Sequence, residues 1–152
     1  MKLTLITETD YESFVSRAIN EYAQDKIDAG SWDAKSANQK AQAEFKQLLP
    51  EGLKSRGNYI YSILDDDTKV GIIWIAKLAS NPGMAFIYDF RIFDAFQNKG
   101  LGTEALTLAA KQAKALGFKT LGLHVFGSNA RAIHVYEKSA FQITDINMQK
   151  TL

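Results

Sequence analysis

The sequence predicts one domain of mixed α/β class over residues 1–152. Three observations favour this class: apolar residues recur at helical spacing in the first third of the chain, strand-forming residues separated by turn signals fill the middle, and helical and strand patterns alternate in the last third. A chain of this length can bury a single core without disulfides, and no internal repeat or linker divides it. We therefore expect the element order β, α, α, β, β, β, α, β, α, β.

The first third is predicted to be a short strand followed by two helices. Leu3–Thr7 has a strand pattern, and Thr9 and Glu12 have the capping-box spacing that begins a helix, which ends near Gly30. The apolar residues that follow predict a second helix over Ser36–Leu49.

The middle third is predicted to be an antiparallel meander. Its three strands are Asn58–Leu64, Val70–Leu78 and Met84–Phe93. The acidic connector 65–69 joins the first two strands as a hairpin, and the turn 81–83 joins the last two.

The last third is predicted to alternate helix and strand, with Ser128 or Asn129 as the cap of its second helix. The predicted elements are a helix over Thr103–Leu116, a strand over Thr120–Phe126, a helix ending near Ser139 and a strand over Phe141–Lys150.

Composition excludes several classes of function. The formal net charge is +1 with both signs interspersed, so no strong field exists to hold a nucleic acid or an anionic membrane. No cysteine is present, which excludes disulfides, thiol nucleophiles and cysteine-ligated zinc, and His124 and His134 have no partners at metal-ligand spacing. The N-terminal apolar run is too short for a signal peptide, and no apolar stretch reaches bilayer length. We therefore expect a cytoplasmic protein with no metal.

The run Asp94–Gly102, between a predicted strand and an alanine-rich helix, predicts an anion site. Unpaired N–H groups at a helix start and the helix dipole together attract phosphate, and glycines let the backbone approach it. The spacing of Gln97, Gly100 and Gly102 is neither a dinucleotide fingerprint nor a P-loop. An ordinary loop or a site for another phosphate ligand, such as a nucleotide, are the alternatives.

Two segments carry a family resemblance. Residues 92–102 contain Gln-x-x-Gly-x-Gly, and residues 123–141 contain Asn-x-x-Ala-x-x-x-Tyr-x-x-x-Ala-Phe. In this order, after a meander, they resemble the GCN5-related N-acetyltransferase (GNAT) superfamily over nearly the whole chain. The resemblance implies the acetyltransferase fold, a central mixed and mostly antiparallel sheet of about six or seven strands flanked by about four helices.

One residue departs from the family pattern. The family usually has glycine where this chain has Ala140, just before Phe141. A left-handed backbone there would cost alanine about 1 kcal/mol relative to glycine, so we expect either an altered turn or accepted strain.

The resemblance also implies the cofactor and the reaction. The enzyme would use acetyl-coenzyme A as acyl donor and transfer the acetyl group to a primary amine of an unidentified small molecule, peptide or protein. The amine would attack directly, through a tetrahedral intermediate. The residues implied to bind the cofactor are Phe90, Ile92, Gln97, Asn98, Lys99, Gly100, Leu101, Gly102, Asn129 and Tyr136.

Three catalytic roles follow from the same resemblance. The backbone amide of Ile92 would stabilise the oxyanion, and Tyr136 would protonate the leaving thiolate, the alternative for Tyr136 being simple packing. Where the family often has a glutamate base this chain has Phe86, so Asp89 acting through water is the substitute. The alternative is that Asp89 pairs with a cation such as Arg91 or satisfies the backbone of the splayed strand.

The acceptor side is the least defined part of the prediction. Trp32, between the first two helices, is predicted to line the substrate pocket or, alternatively, to belong to the core. The missing glutamate also keeps open a second hypothesis, a catalytically inactive sensor or interaction domain that binds coenzyme A. Either a monomer or a homodimer is compatible with the sequence.

Overall fold

A five-stranded sheet forms the centre of the molecule. The computed structural model describes residues 1–152, with elements β1 (Lys2–Leu5), α1 (Glu8–Asp28), α2 (Ala37–Leu48), β2 (Asn58–Asp65), β3 (Thr68–Leu78), β4 (Asn81–Ile92), α3 (Leu101–Ala115), β5 (Thr120–Leu123) and α4 (Ala130–Lys138). The strands lie in the order β1-β2-β3-β4-β5. The first four pair antiparallel, and β5 is parallel to β4. None of the helices combines the length and hydropathy needed to cross a bilayer.

The helices cover both faces of the sheet. Side chains of α3, among them Ala105 and Ala109, join β-strand residues in one buried cluster. On the opposite face, Phe14 of α1 and Phe45 of α2 pack on Trp74 of β3, with ring centroids 6.2 and 5.6 Å from the Trp74 ring. The mixed α/β class and the four predicted helices are therefore confirmed.

The three strands of the predicted meander are confirmed, but the turn predicted at 81–83 is wrong: residues 81–83 belong to β4, and the turn is at 79–80, because Leu78 pairs with Asn81. The first turn of the meander has a simple chemical basis. Asp66 and Asp67, at the tip between β2 and β3, have φ values of 44° and 66°. Two consecutive left-handed residues are typical of a tight hairpin turn, and aspartate tolerates this conformation better than most residues.

The start of α1 differs from the sequence prediction. The helix begins at Glu8, and Thr7 is its cap because the Thr7 hydroxyl accepts a hydrogen bond of 3.2 Å from the backbone N–H of Asp10. The capping pair predicted at Thr9 and Glu12 is therefore wrong by two residues, since both lie inside the helix.

The predicted number of strands is also wrong, because the sheet has five strands rather than six or seven. The strand predicted over Phe141–Lys150 is absent: residues 141–152 form no regular structure, and all of them except Phe141 are exposed. The alternating residues that favour a strand are present, but a strand forms only against a partner edge. The chain leaves α4 without returning to β5.

Ala140 ends α4 in a strained turn. Its φ is 64°, the Phe141 N–H donates to the Tyr136 carbonyl, and the Ala140 N–H donates to the Glu137 carbonyl. These two bonds define a Schellman motif, and the accompanying apolar contact is present because the Phe141 and Tyr136 rings lie 5.8 Å apart. The chain thus accepts the strain that the departure from glycine predicted.

Replacing Ala140 with glycine should stabilise the protein. We expect Ala140→Gly to raise the free energy of unfolding by about 1 kcal/mol, because glycine adopts positive φ without steric cost. Ala110→Gly is the matched control: Ala110 is exposed within α3, so the same change should lower the free energy by about 1 kcal/mol. Urea denaturation measures both free energies of unfolding. If Ala140→Gly lost as much stability as Ala110→Gly, the strain assigned to Ala140 would be contradicted.

Candidate active site

Beside the glycine loop, β4 and β5 are paired over only part of the length of β4. The two strands pair only from Met84 to Ile87 on β4, opposite Thr120 to Leu123 on β5, and β4 then continues to Ile92 without that neighbour. A cavity of about 380 Å³ opens beside this free length of β4, and it is also bordered by the glycine loop, α3 and α4.

Most residues of the predicted cofactor site line this one cavity. The lining includes Phe90, Ile92, Gln97, Asn98, Gly100, Leu101, Gly102, Asn129 and Tyr136. Lys99 is the exception: its ammonium donates to the Ala95 carbonyl and lies 5.6 Å from the centre of the Phe96 ring. The two segments that carry the family resemblance are thus brought together, although 20 residues of chain separate them in sequence.

A β-bulge in β4 determines which side chains reach the cavity. Asp89 is opposite Trp74 and Ile87 is opposite Ile75, so Tyr88 is an extra residue in β4. Because an extra residue inverts the alternation of faces beyond it, Phe90 joins the same buried cluster as Ile87. Asp89 consequently points to the opposite face, where it meets α1.

The peptide groups at the end of β4 face the gap. The Phe93 N–H donates to the Val70 carbonyl of β3 at 2.8 Å, and in a strand the neighbouring peptide groups point to opposite edges. The Ile92 carbonyl accordingly accepts a 2.9 Å hydrogen bond from the Gln97 side chain, on the side away from β3. The Ile92 N–H therefore faces the cavity.

The glycine loop presents a row of unpaired amides. Gly100 has a φ of 81° and caps α3 without a side-chain hydrogen bond, and Asn98 has a φ of 61°. None of the N–H groups of residues 98–102 donates to a protein acceptor. Together with the positive end of the α3 dipole, they can bind a diphosphate, as the sequence predicted.

Arg131 is a residue of this site that sequence reasoning missed. Its guanidinium donates to the Asn98 side-chain oxygen at 3.0 Å and lines the cavity beside the free amides. One signal of this role is present in the sequence: Arg131 follows the α4 cap by two residues, and therefore lies at a helix start that faces the loop. Asn129 is that cap, because its side chain accepts from the Ala132 N–H at 3.1 Å.

Tyr136 lies in the cavity wall as a neutral phenol. Burial raises the pKa of Tyr136 above its ordinary value, and the charge of Asp89 adds to the rise. A phenol with a raised pKa keeps its proton at neutral pH, so it can donate that proton to a leaving group. Tyr136 also packs on Phe141, so its packing role and a chemical role are compatible.

Asp89 belongs to a chain of ion pairs next to the cavity, without lining it. Its carboxylate accepts from Arg17 of α1 at 2.9 Å, Arg17 also binds Glu21, and Glu21 binds Arg91. The cation that pairs with Asp89 is therefore Arg17 and not Arg91. Burial raises the pKa of Asp89, while the charge and hydrogen bond of Arg17 act in the opposite direction. No local pattern could predict this pair, because 72 residues separate its members.

Trp32 lies outside the cavity lining. Its ring meets Tyr22 edge to face at 5.6 Å, and the ammonium groups of Lys26 and Lys40 lie 5.5 and 5.8 Å from its centre. It packs against a small alanine cluster between α1 and α2. A role for Trp32 in substrate binding stays a prediction.

Comparison with known proteins agrees with this geometry. Residues 17–141 match the Acetyltransferase (GNAT) family. The chain is 34% identical to the uncharacterized N-acetyltransferase YycN of Bacillus subtilis (strain 168), covering 99% of this chain and 97% of that protein. It is 33% identical to the uncharacterized N-acetyltransferase YdgE of the same organism, covering 97% and 95%.

Two solved structures bear on the fold. The crystal structure of YycN from Bacillus subtilis superposes with a TM-score of 0.91 at 33% identity and covers 99% of this chain and 98% of that one. The structure of AAC(6')-Iy in complex with the bisubstrate analogue CoA-S-monomethyl-acetylneamine has a TM-score of 0.62 at 11% identity, covering 99% of this chain and 97% of that one, and shares the fold.

Removing the partner of Asp89 should change its titration. We expect Arg17→Met to raise the pKa of Asp89 further, because a favourable charge and a hydrogen bond to the ionised form are lost. A pH titration of the Asp89 carboxyl carbon by NMR measures the change. Lys69→Met, which removes the partner of Asp10, is the control and should leave the pKa of Asp89 unaltered. An unchanged Asp89 in Arg17→Met would contradict the pairing.

Proposed function

Because this chain belongs to the acetyltransferase (GNAT) family, it is an acetyltransferase, and we propose that it transfers the acetyl group of acetyl-coenzyme A to a primary amine of a small molecule or a peptide. The main observation behind the proposal is that one cavity contains two surfaces that can bind parts of the same ligand. The free amides of residues 98–102 lie at one end, and the unpaired edge of β4 lies beside them.

The residues present fit coenzyme A. Its diphosphate suits the free amides of the loop, and Arg131 supplies a nearby positive charge. Its pantetheine arm contains two amide groups, which suit strand-like hydrogen bonds to the open edge of β4 at Phe90 and Ile92. The coenzyme A analogue bound by AAC(6')-Iy, a protein of the same fold, supports this assignment.

Acetyl transfer from a thioester to an amine needs a hydrogen-bond donor for the carbonyl oxygen, which gains negative charge as the new C–N bond forms. We assign this role to the Ile92 N–H. The rigid pairing of β4 with β3 holds this N–H toward the cavity before substrate binds, so little reorganisation is needed. A backbone donor of this type contributes about 3 kcal/mol to transition-state stabilisation.

Two proton transfers complete the proposed reaction. The sulfur leaves as the C–S bond breaks, and we assign its proton to the Tyr136 phenol, whose raised pKa keeps it protonated. The amine loses a proton, and we assign its removal to Asp89 through water, because the Asp89 carboxylate is set back from the cavity lining. Arg17 would then hold the Asp89 carboxylate in place while that proton is transferred.

The direct test is amine-dependent release of thiol. Purified protein with acetyl-coenzyme A and a panel of amines, polyamines, aminoglycosides and peptides should release free thiol with at least one acceptor. Mass spectrometry should show that acceptor to be heavier by one acetyl group. Tight binding of acetyl-coenzyme A with no turnover on any acceptor would instead favour the inactive coenzyme A-binding domain. Binding of ATP but not of acetyl-coenzyme A would remove the proposal altogether.

Tyr136→Phe should separate binding from chemistry. We expect kcat to fall by about 10²-fold, the lower end for loss of a general acid, while KM for acetyl-coenzyme A changes little. Steady-state kinetics with the identified acceptor measures both. Tyr22→Phe also deletes a phenolic oxygen, but Tyr22 bonds to Glu44 outside the cavity, so its kcat should equal that of wild type. Equal rates for wild type and Tyr136→Phe would exclude Tyr136 as the acid.

Gly100→Ala should weaken coenzyme A binding. The space around Gly100 is open, but its φ of 81° disfavours alanine by about 1 kcal/mol. Holding the loop in its binding conformation would then cost that much, which corresponds to about fivefold weaker binding of coenzyme A. Isothermal titration with coenzyme A measures the change. Gly127→Ala is the control, because Gly127 also has open space and has no positive φ. Similar losses in both variants would refute the role of backbone geometry.

A further inference from the structure

Two aromatic side chains of β4, those of Phe86 and Tyr88, form a half-exposed aromatic platform on the α1 side of the sheet. Their rings meet edge to face with centroids 5.0 Å apart, and both residues are only half-buried. Phe86 is opposite Ala76 in the sheet, and Tyr88 packs on the same buried cluster as Ala76. Both rings therefore lie on the face that α1 and α2 cover only in part, where a flat or apolar ligand group can stack on them.

The core holds the aromatic platform in one orientation. The Tyr88 ring stacks on the buried Trp74 ring at 5.0 Å, and the Trp74 indole N–H donates to the Asn58 side-chain oxygen at 2.9 Å. On the other side, the Phe86 ring lies over Gly122 of β5, and a Cβ on Gly122 would already be 3.6 Å from it. Because the rings are fixed before a ligand arrives, little side-chain freedom is lost on binding.

The aromatic platform is continuous with the site of the proposed chemistry. Tyr88 is next to Asp89, and beyond Ile87 the edge of β4 has no strand beside it, so the gap opens to both faces of the sheet. Burial raises the pKa of Tyr136 on the α4 side, and the charge of Asp89 on the α1 side adds to the rise. Four residues, about 13 Å of strand, separate Tyr88 from Ile92. One small molecule can therefore contact the platform and reach the acetyl group.

Carboxylates border the aromatic platform toward α1. Asp25 lies one turn beyond Glu21 in α1, and no cationic group lowers the pKa of its carboxyl. Burial raises the pKa of Asp25, and the negative charges of three neighbours raise it further: Glu21, Asp28 and Asp89. The surroundings of the platform thus lack positive charge, so they attract a protonated amine before it gives up its proton.

We propose that the acetyl acceptor is a primary amine carried on an aromatic or flat apolar group, an arylalkylamine in the simplest case, and that this group stacks on Phe86 and Tyr88 while the amine enters the gap. The inference rests on the proposed acetyl transfer and names its substrate class. Two rings are far too small for a stable protein interface, which buries roughly 800 Å² on each partner, so the occupant is a small molecule. A polyhydroxylated acceptor would place hydroxyl groups against the rings without hydrogen-bond partners.

Kinetics with two matched amines test the aromatic platform. 2-Phenylethylamine and ethylamine differ only by the ring, and we expect kcat/KM to be at least about tenfold higher for 2-phenylethylamine. Phe86→Ala should lower the ratio of the two kcat/KM values by about tenfold, because the ring contact is lost. A general loss of folded enzyme cancels in this ratio. Equal ratios in wild type and Phe86→Ala would overturn the proposal.

Phe118→Ala is the matched control for Phe86→Ala. Phe118 is also a half-buried phenylalanine, but it packs on the opposite face of the sheet, against the cluster that contains α3. The ratio of kcat/KM for 2-phenylethylamine to that for ethylamine should therefore equal the wild-type ratio. A loss of the same size as in Phe86→Ala would contradict a contact specific to the platform.

Equilibrium binding separates this inference from the proposed reaction. If kanamycin or spermidine is acetylated with a higher kcat/KM than 2-phenylethylamine, acetyl transfer stands and the inferred substrate class is refuted. If no amine is acetylated, the proposed reaction fails, and saturation-transfer NMR with 2-phenylethylamine then decides whether the platform binds an aromatic amine. Weaker binding by Phe86→Ala than by wild type would support it, and absent or equal binding would overturn it.

Discussion

The unequal pairing of β4 is the constraint from which the site follows. β4 is hydrogen-bonded to β3 along nearly its whole length, but to β5 over only four residues. Near the start of β3 the two backbones approach so closely that a Cβ on Gly71 would collide with the Arg91 carbonyl oxygen, and glycine is required there. Pairing with β3 holds β4 rigid, and the missing pairing with β5 leaves its peptide groups available on the other side. A strand edge that binds a ligand needs both properties.

Electrostatics add a second level of organisation around the same strand. The bulge at Tyr88 turns Asp89 toward α1, and the alternating charges Asp89, Arg17, Glu21 and Arg91 then join that helix to β4. The aromatic stack of Tyr88 on Trp74, with centroids 5.0 Å apart, holds the bulge against the core. Asp89 is therefore positioned by a helix that contributes nothing to the cavity lining.

The sequence predicted the local features of this protein better than its long-range ones. The meander, the glycine loop and the Asn129 cap each depend on residues close together in sequence, and all three are present. The Arg17–Asp89 pair depends on the bulge and on helix packing, neither of which leaves a periodic signal. The predicted last strand failed for a related reason, because residue pattern shows what can form a strand and does not show which edge will receive it.

The alanines of α3 give the core an influence on the anion site. Ala105, Ala109 and Ala113 are buried at intervals of four residues, and their small size lets the helix lie close to the sheet. The distance from the free amides at the start of α3 to β4 therefore depends on how closely α3 packs on the sheet. A larger side chain at any of the three positions would push α3 away from the sheet. Ligand affinity in this fold can thus be tuned, or lost by mutation, from deep positions that no ligand touches.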